Sequence, residues 1–182
     1  MIIGITGPLE AGKGPIVEIL KERGFTHYSA REFIVEEVRR RGLPENRDSM
    51  TLVANGLRAQ HGAGYIIQKL YKKAREAGGK AVIESVRAVG EIEPLKKEGS
   101  MLLAVDADPK LRYERIVKRG SSTDHVSYEK FLADEAREDN NTDPTKGNLS
   151  ACIALADYII QNNGSVEDLR AQVGEILGKI GV

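Results

Sequence analysis

Apolar positions along this chain follow two different periods. Short unbroken runs, Ile2-Ile3-Gly4-Ile5, Ala81-Val82-Ile83, Leu102-Leu103-Ala104-Val105 and Tyr158-Ile159-Ile160, have the length and β-branched character of buried strands. They predict strands at Met1–Thr6, Lys80–Glu84, Met101–Asp106 and Tyr158–Gln161, with a weaker one at Phe25–Ser29. Between them the apolar residues recur at three and four positions, as in the stripe Ile66, Ile67, Leu70, Tyr71 and Ala74. That period predicts helices at Pro15–Arg23, Glu32–Arg41, Tyr65–Ala77, Val89–Lys97, Pro109–Arg119, Ser127–Glu138 and Leu149–Ala156. Another starts at a cap on Asp48 or Ser49 and runs to about Gln60. Ser165 with Asp168 opens the last, whose stripe is Val166, Leu169, Val173, Ile176, Leu177 and Ile180. Gly24, Gly42, Gly78 and Gly79 are stop signals. Gly120–Val126 reads as a polar turn and Asp139–Asn148 as a turn-rich, mobile loop.

Five strands alternating with helices imply an α/β fold, a doubly wound five-stranded parallel sheet with helices on both faces. Right-handed crossovers remove most other topologies. Ligands of such folds bind beyond the carboxyl ends of the strands, which singles out the loops after Thr6, Glu84 and Asp106.

Composition narrows the classes. The chain has 182 residues, 27 Lys+Arg against 27 Asp+Glu, and 41% hydrophobic residues. One domain is expected at this length. Zero net charge argues against a protein built to grip nucleic acid. No apolar run reaches the ~18 residues of a membrane span, and the N-terminus lacks a charged secretory n-region. A cytoplasmic protein with small-molecule partners, no nucleic acid and no membrane is the expectation; monomer and homodimer stay open. The single cysteine, Cys152, excludes an intramolecular disulfide framework and a multi-cysteine zinc site.

The strongest chemical signal follows the first strand. Gly7-Pro8-Leu9-Glu10-Ala11-Gly12-Lys13-Gly14 matches G-x-x-x-x-G-K. Chance supplies roughly 0.06 such matches in a chain this long at ordinary glycine and lysine usage. Glycines let backbone N–H groups turn around phosphate oxygens, the next helix points its positive end at them, and Lys13 reaches the β- and γ-phosphates. Pro15 stands where a hydroxyl often touches phosphate or magnesium, but proline suits a first helical turn. Glu10 sets a carboxylate on the loop, a repulsion of about 1 kcal/mol at ~4 Å in water unless it points to solvent.

These residues resemble a family. Gly7 to Gly14 is similar to the adenylate kinase phosphate loop, G-x-x-x-x-G-K-G-T, with Pro15 in place of its threonine. Ile2 to Gly7 and Ala156 to Asn162 resemble dephospho-CoA kinase. Val82-Ile83-Glu84-Ser85-Val86-Arg87 is similar to the third strand of these kinases, a carboxylate then an arginine, and Arg115 with Arg119 resembles the start of an adenylate kinase lid. The chain is identified as a member of the nucleoside monophosphate kinase superfamily. The resemblance implies a P-loop kinase fold over residues 1–182, a small acceptor-binding helical insert at about 30–77 and a short lid at about 115–140. It implies ATP and Mg2+ and transfer of the γ-phosphate to a nucleoside or deoxynucleoside monophosphate. Dephospho-CoA-kinase-like transfer and a degenerate, non-catalytic nucleotide-binding protein are the alternatives.

The roles it implies fall on named residues. Gly7 through Pro15 hold nucleotide with Arg115 and Asn162, Arg115 stacking on the base. Lys13, Arg87, Arg119 and Arg137 are the catalytic set, and Glu84 is the magnesium ligand. Arg31, Arg58 and Arg87 are candidates for the acceptor, Arg31 on its own account, since it does not fall on the family's arginine position. Blander readings stand beside these: a solvated strand-end Glu84, a surface ion pair at Arg87, a charged solvated face at Arg115 and Arg119, which Lys110, Arg112, Glu114 and Lys118 surround, and a simple turn at Asn162-Asn163-Gly164. His27, His61 and His125 show no metal spacing and read as ordinary. A switch GTPase is excluded: no Asn-Lys-x-Asp is present, and Glu84-Ser85-Val86-Arg87 stands where Asp-x-x-Gly would. The departures that matter are the lack of a carboxylate after the second strand until Glu32, and the short lid.

Overall fold

A computed structural model describes residues 1–120, 127–139, 143 and 145–182, without the side chains of Arg137 and Glu138. In chain order the elements are β1 (Ile2–Thr6), α1 (Lys13–Glu22), β2 (Thr26–Ser29), α2 (Ala30–Arg40), α3 (Arg47–His61), α4 (Tyr65–Glu76), β3 (Ala81–Val86), α5 (Val89–Lys97), β4 (Met101–Asp106), α6 (Pro109–Arg119), α7 (Tyr128–Asp139), α8 (Leu149–Ala154), β5 (Tyr158–Gln161) and α9 (Val166–Lys179). The strands form one five-stranded sheet ordered β2-β3-β1-β4-β5, every pair parallel. The expected fold class is correct. Among the described residues no helix is long and apolar enough to cross a membrane.

Both faces of the sheet are covered, which explains the continuous apolar runs. Ile3 and Ile5 of β1 pack with Ile16 and Leu20 of α1 and Leu169 and Val173 of α9. Ile2, Ile83 and Leu102 pack with Val38, Val53, Ile66 and Leu95 on the opposite face. Helices α2 to α4, the expected insert, therefore share their core with the sheet. Gly4 lets α5 approach closely: a Cβ there would lie 2.4 Å from Leu95 Cδ2. Cys152 is buried, as its apolar neighbours predict, and burial, followed by the Glu91 carboxylate, pushes its thiol up to about 12.

Three of the differences from the expected boundaries change the picture most. Helix α1 begins at Lys13, so the lysine belongs to its first turn. Helix α3 is capped by Asn46, whose side chain accepts from Ser49 N–H, and not by Asp48 or Ser49. Strand β3 runs past Glu84 to Val86. The register with β1 jumps from Ile5↔Glu84 to Thr6↔Val86, leaving Ser85 as an extra residue at φ 74. Such a bulge re-aims neighbouring side chains and is a feature the apolar pattern does not reveal.

Candidate active site

The loop between β1 and α1 lies at the sheet's switch point, where β1 runs between β3 and β4. Its shape depends on glycine at two positions. Gly7 has φ 142, and a Cβ there would fall 2.1 Å from the Val105 backbone oxygen of β4. Gly12 has φ 114, and a Cβ would fall 2.2 Å from Asn162 Nδ2. Glu10 adopts φ 55, a left-handed conformation unusual for a non-glycine residue.

Every carbonyl from Gly7 to Gly12 accepts a hydrogen bond. Lys13 Nζ donates to Gly7 O (2.8 Å) and Pro8 O (2.6 Å). Arg112 NH1 donates to Leu9 O (3.4 Å), Arg115 NH1 to Glu10 O (3.1 Å), and Asn162 Nδ2 to Ala11 O (2.8 Å). Ile16 N–H donates to Gly12 O (3.3 Å). In a trans peptide C=O and N–H point opposite ways. The carbonyls held by α6 and the loop after β5 therefore turn the N–H groups of Glu10 and Gly12 to the other side, an anion-binding concavity, while Ala11 N–H donates to Pro8 O (3.4 Å) within the loop.

Lys13 lies among charges of both signs. Burial, then Arg87, lowers its pKa to about 8, while Glu84 and Glu10 oppose the shift. An incompletely solvated ammonium above a nest of N–H groups fits a polyphosphate.

The arginines of α6 make contacts within the protein that the sequence does not reveal. Arg115 joins the phosphate loop to the end of β5, since NH2 donates to Asn162 O at 2.9 Å. The structure thus makes Arg115 and Asn162 braces of the loop. Arg119 pairs with the Glu10 carboxylate. Glu10 therefore does not simply point to solvent. Arg112, which the sequence offers only as part of a charged face, is 4% exposed, donates to Ala107 O and forms a two-pronged pair with Glu135 of α7. Its spacing from Arg115 and Arg119, three and seven residues, was the available signal.

Glu10→Gln is expected to bind Mg-ATP about fivefold more tightly, because it removes roughly 1 kcal/mol of repulsion toward phosphate. Isothermal titration calorimetry checks this; weaker binding would show that the loop needs the Glu10–Arg119 pair.

Across the sheet edge, Glu84 Oε2 lies 3.0 Å from His27 Nε2 of β2. The His27 hydrogen bond holds the Glu84 carboxyl below its ordinary range, with Lys13 and Arg87 adding to the effect against partial burial. Glu84 is no loosely solvated strand end: its side chain is 20% exposed. His27, read as ordinary from sequence, is its partner, brought there by the register His27↔Val82 and Ser29↔Glu84 of the β2–β3 pair. No spacing rule connects residues so far apart in sequence.

Arg58 is a correction. It is 5% exposed, and its guanidinium is committed to Glu91, so it cannot serve an acceptor. Arg31 is exposed in the first turn of α2. The backbone of Arg137 lies in α7, and its side chain is outside the described residues. So are 121–126, 140–142 and 144, which carry His125, most of the expected lid turn and part of the turn-rich loop. A cavity of about 110 Å³ adjoins the phosphate loop between Pro8, Asp106, Arg112, Glu135, Asp139 and Ser150. Asp139 closes it by accepting from the Leu149 and Ser150 N–H groups.

Magnesium bound with nucleotide needs one or two protein carboxylates, the phosphates completing its shell. Glu84 and Asp106, near the ends of β3 and β4, offer such oxygens, and among the described residues no group of three metal-ligating side chains occurs. The two carboxylates fit a cation brought in by phosphate.

Comparison with known proteins agrees with this geometry. The family model described as "AAA domain" matches residues 3–143. A UPF0200 protein of Thermococcus sibiricus is 33% identical over 100% of this chain and 96% of its own length. Among solved structures, TT1252 from Thermus thermophilus superposes with TM-score 0.64 at 19% identity, covering 98% of this chain and 97% of that one. Dephospho-CoA kinase from Campylobacter jejuni gives TM-score 0.53 at 17% identity over 98% and 96%. These likenesses confirm a P-loop kinase fold. With its phosphate loop matched by the family model and its full length matched by the relative, the chain belongs to the UPF0200 family of P-loop proteins.

Proposed function

We propose that the protein transfers the γ-phosphoryl group of Mg-ATP to a small anionic acceptor, a nucleoside or deoxynucleoside monophosphate. The observation that carries this reading is the phosphate loop: its carbonyls are held by Lys13, Arg112, Arg115 and Asn162, and Lys13 stands over it with a lowered pKa. Phosphoryl transfer asks for positioning and charge neutralisation rather than covalent catalysis. An acceptor phosphate oxygen forms a bond to the γ-phosphorus, the bond to the β–γ bridging oxygen breaks, and ADP carries away the electron pair. Lys13 neutralises the migrating group, Glu84 holds magnesium, and Arg87 draws the acceptor phosphate.

One observation favours a second acceptor class. An alcohol must lose a proton as it attacks, and the carboxylate Glu84, held by His27, can take it. A phosphate acceptor needs no such base.

The test mixes the protein with Mg-ATP and each ribo- and deoxyribonucleoside monophosphate, or dephospho-CoA, and follows products by phosphorus NMR. A new diphosphate supports the first reading, and a new phosphomonoester supports the second. Bound ATP with no transfer to any acceptor points to a degenerate nucleotide-binding protein.

A further inference from the structure

Glu91, at the third position of α5, is wholly buried, and its two oxygens divide four donors. Oε1 accepts from Arg58 Nε (3.0 Å) and NH2 (2.8 Å). Oε2 accepts from the N–H groups of Arg87 (2.9 Å) and Ala88 (3.1 Å). Arg58 belongs to α3, in the helical insert, while Arg87 and Ala88 form the short link between β3 and α5. The same link is gripped from another side: Asn148 N–H donates to Arg87 O at 2.9 Å, and Ala88 forms an antiparallel bridge with Gly147.

Capping alone does not account for this arrangement. Two N–H groups at a helix start need an acceptor, which a neutral side chain can supply. A buried ion pair adds little net stability, because desolvation consumes most of the attraction. Its geometry is the stronger asset. Both guanidinium donors converge on one oxygen, and both backbone donors on the other, so α3 and the Arg87 backbone are referred to one rigid carboxylate. Helix α3 cannot shift without drawing on Arg87, whose charge acts on both Lys13 and Glu84.

We propose that Arg58 and Glu91 are positioning residues: the pair couples the helical insert to Arg87 and thereby sets its aim at the acceptor's anionic group. The acceptor part of this inference rests on the phosphotransfer reading; the coupling of backbone and insert does not.

The experiment uses the full chain with Glu91→Gln, Arg58→Met and Arg58→Lys. Amide hydrogen exchange at Arg87 and Ala88 is expected to accelerate at least tenfold in Glu91→Gln, with Ile3 and Val105 in the central strands unchanged. With the acceptor that the wild-type protein phosphorylates, KM for the acceptor is expected to rise at least tenfold in Glu91→Gln and Arg58→Met. Mg-ATP affinity should stay within twofold, and Arg58→Lys should recover part of the loss. A merely structural role would move both substrates together and accelerate exchange throughout the sheet. Unchanged exchange at 87 and 88, or equal losses for both substrates, overturns the proposal. If single variants fail to fold, Arg58→Met/Glu91→Gln removes both charges yet leaves an oxygen under the two N–H groups. It should fold and still show the raised acceptor KM; a wild-type KM overturns the proposal. A wild-type protein that transfers phosphate to no acceptor defeats the functional reading, and the exchange measurement then decides the coupling by itself.

Discussion

Lys13→Met is expected to lower the rate of phosphoryl transfer from Mg-ATP by about 10²- to 10³-fold, the usual cost of removing one preorganised group that meets charge developing in a transition state. The fold should survive, because the lysine's own bonds go to two loop carbonyls, Gly7 O and Pro8 O, and not into the core. A pH signature accompanies this. The folded, nucleotide-free protein holds Lys13 at about 8, below its ordinary 10.5. The unfolded chain therefore binds the extra proton between pH 8 and 10.5, and Lys13 contributes a stability that rises with pH across that window and is absent below it. A bound polyphosphate reverses the shift by favouring the ammonium. Mg-ATP binding at pH 8.5 should take up a proton, measured by titration calorimetry in two buffers of different ionisation enthalpy. Lys13→Met should abolish the uptake. Transfer at the wild-type rate in that variant would remove Lys13 from the site.

Gly7→Ala should be the most damaging small change in the molecule. The residue's φ of 142 is a region that side chains rarely enter, and its Cβ would meet the backbone oxygen of Val105 at 2.1 Å. A carbonyl in the central sheet cannot swing aside as a long side chain can. Strain and clash together are expected to cost more than about 3 kcal/mol. At this chain length that lowers Tm by about 6–12 °C. Gly14→Ala is the matched control, since Gly14 lies in the first turn of α1 and a Cβ there meets nothing within 4 Å. It should leave Tm unchanged or slightly raised, as alanine is the better helix former. Thermal unfolding by circular dichroism compares the two. Equal Tm values for Gly7→Ala and the wild-type protein would mean that the loop does not press on β4 as closely as the structure has it.

Local patterns carried the fold. Buried parallel strands need near-continuous apolar runs, and helices covering them need a stripe, so β1, β3, β4 and β5 and most helices could be read directly. The errors are local competitions between similar groups. Asn46, Asp48 and Ser49 are all good caps, and the choice among them depends on where the chain turns out of the preceding loop. The Ser85 bulge is invisible because none of Glu84, Ser85 and Val86 is a glycine or proline that would mark it.

The candidate site divides along the same line. The phosphate loop was legible because its chemistry is contiguous: glycines, lysine, strand and helix lie within one short segment. The partners of that loop were not. The sequence offers Arg58 to an acceptor, and the fold buries it on Glu91. His27 reads as ordinary, and strand pairing brings it to Glu84. Arg112 reads as part of a charged face, and the packing of α6 brings it to Leu9 O of the loop. An arginine or histidine has the same identity whether it faces water, a carbonyl or a phosphate. By itself the sequence determined the sheet and the phosphate loop, since each is set by residues close together in the chain. Which charges pair, which are buried and which still face the ligand was decided by tertiary structure alone, because those energies depend on distances between segments that only the folded sheet brings together.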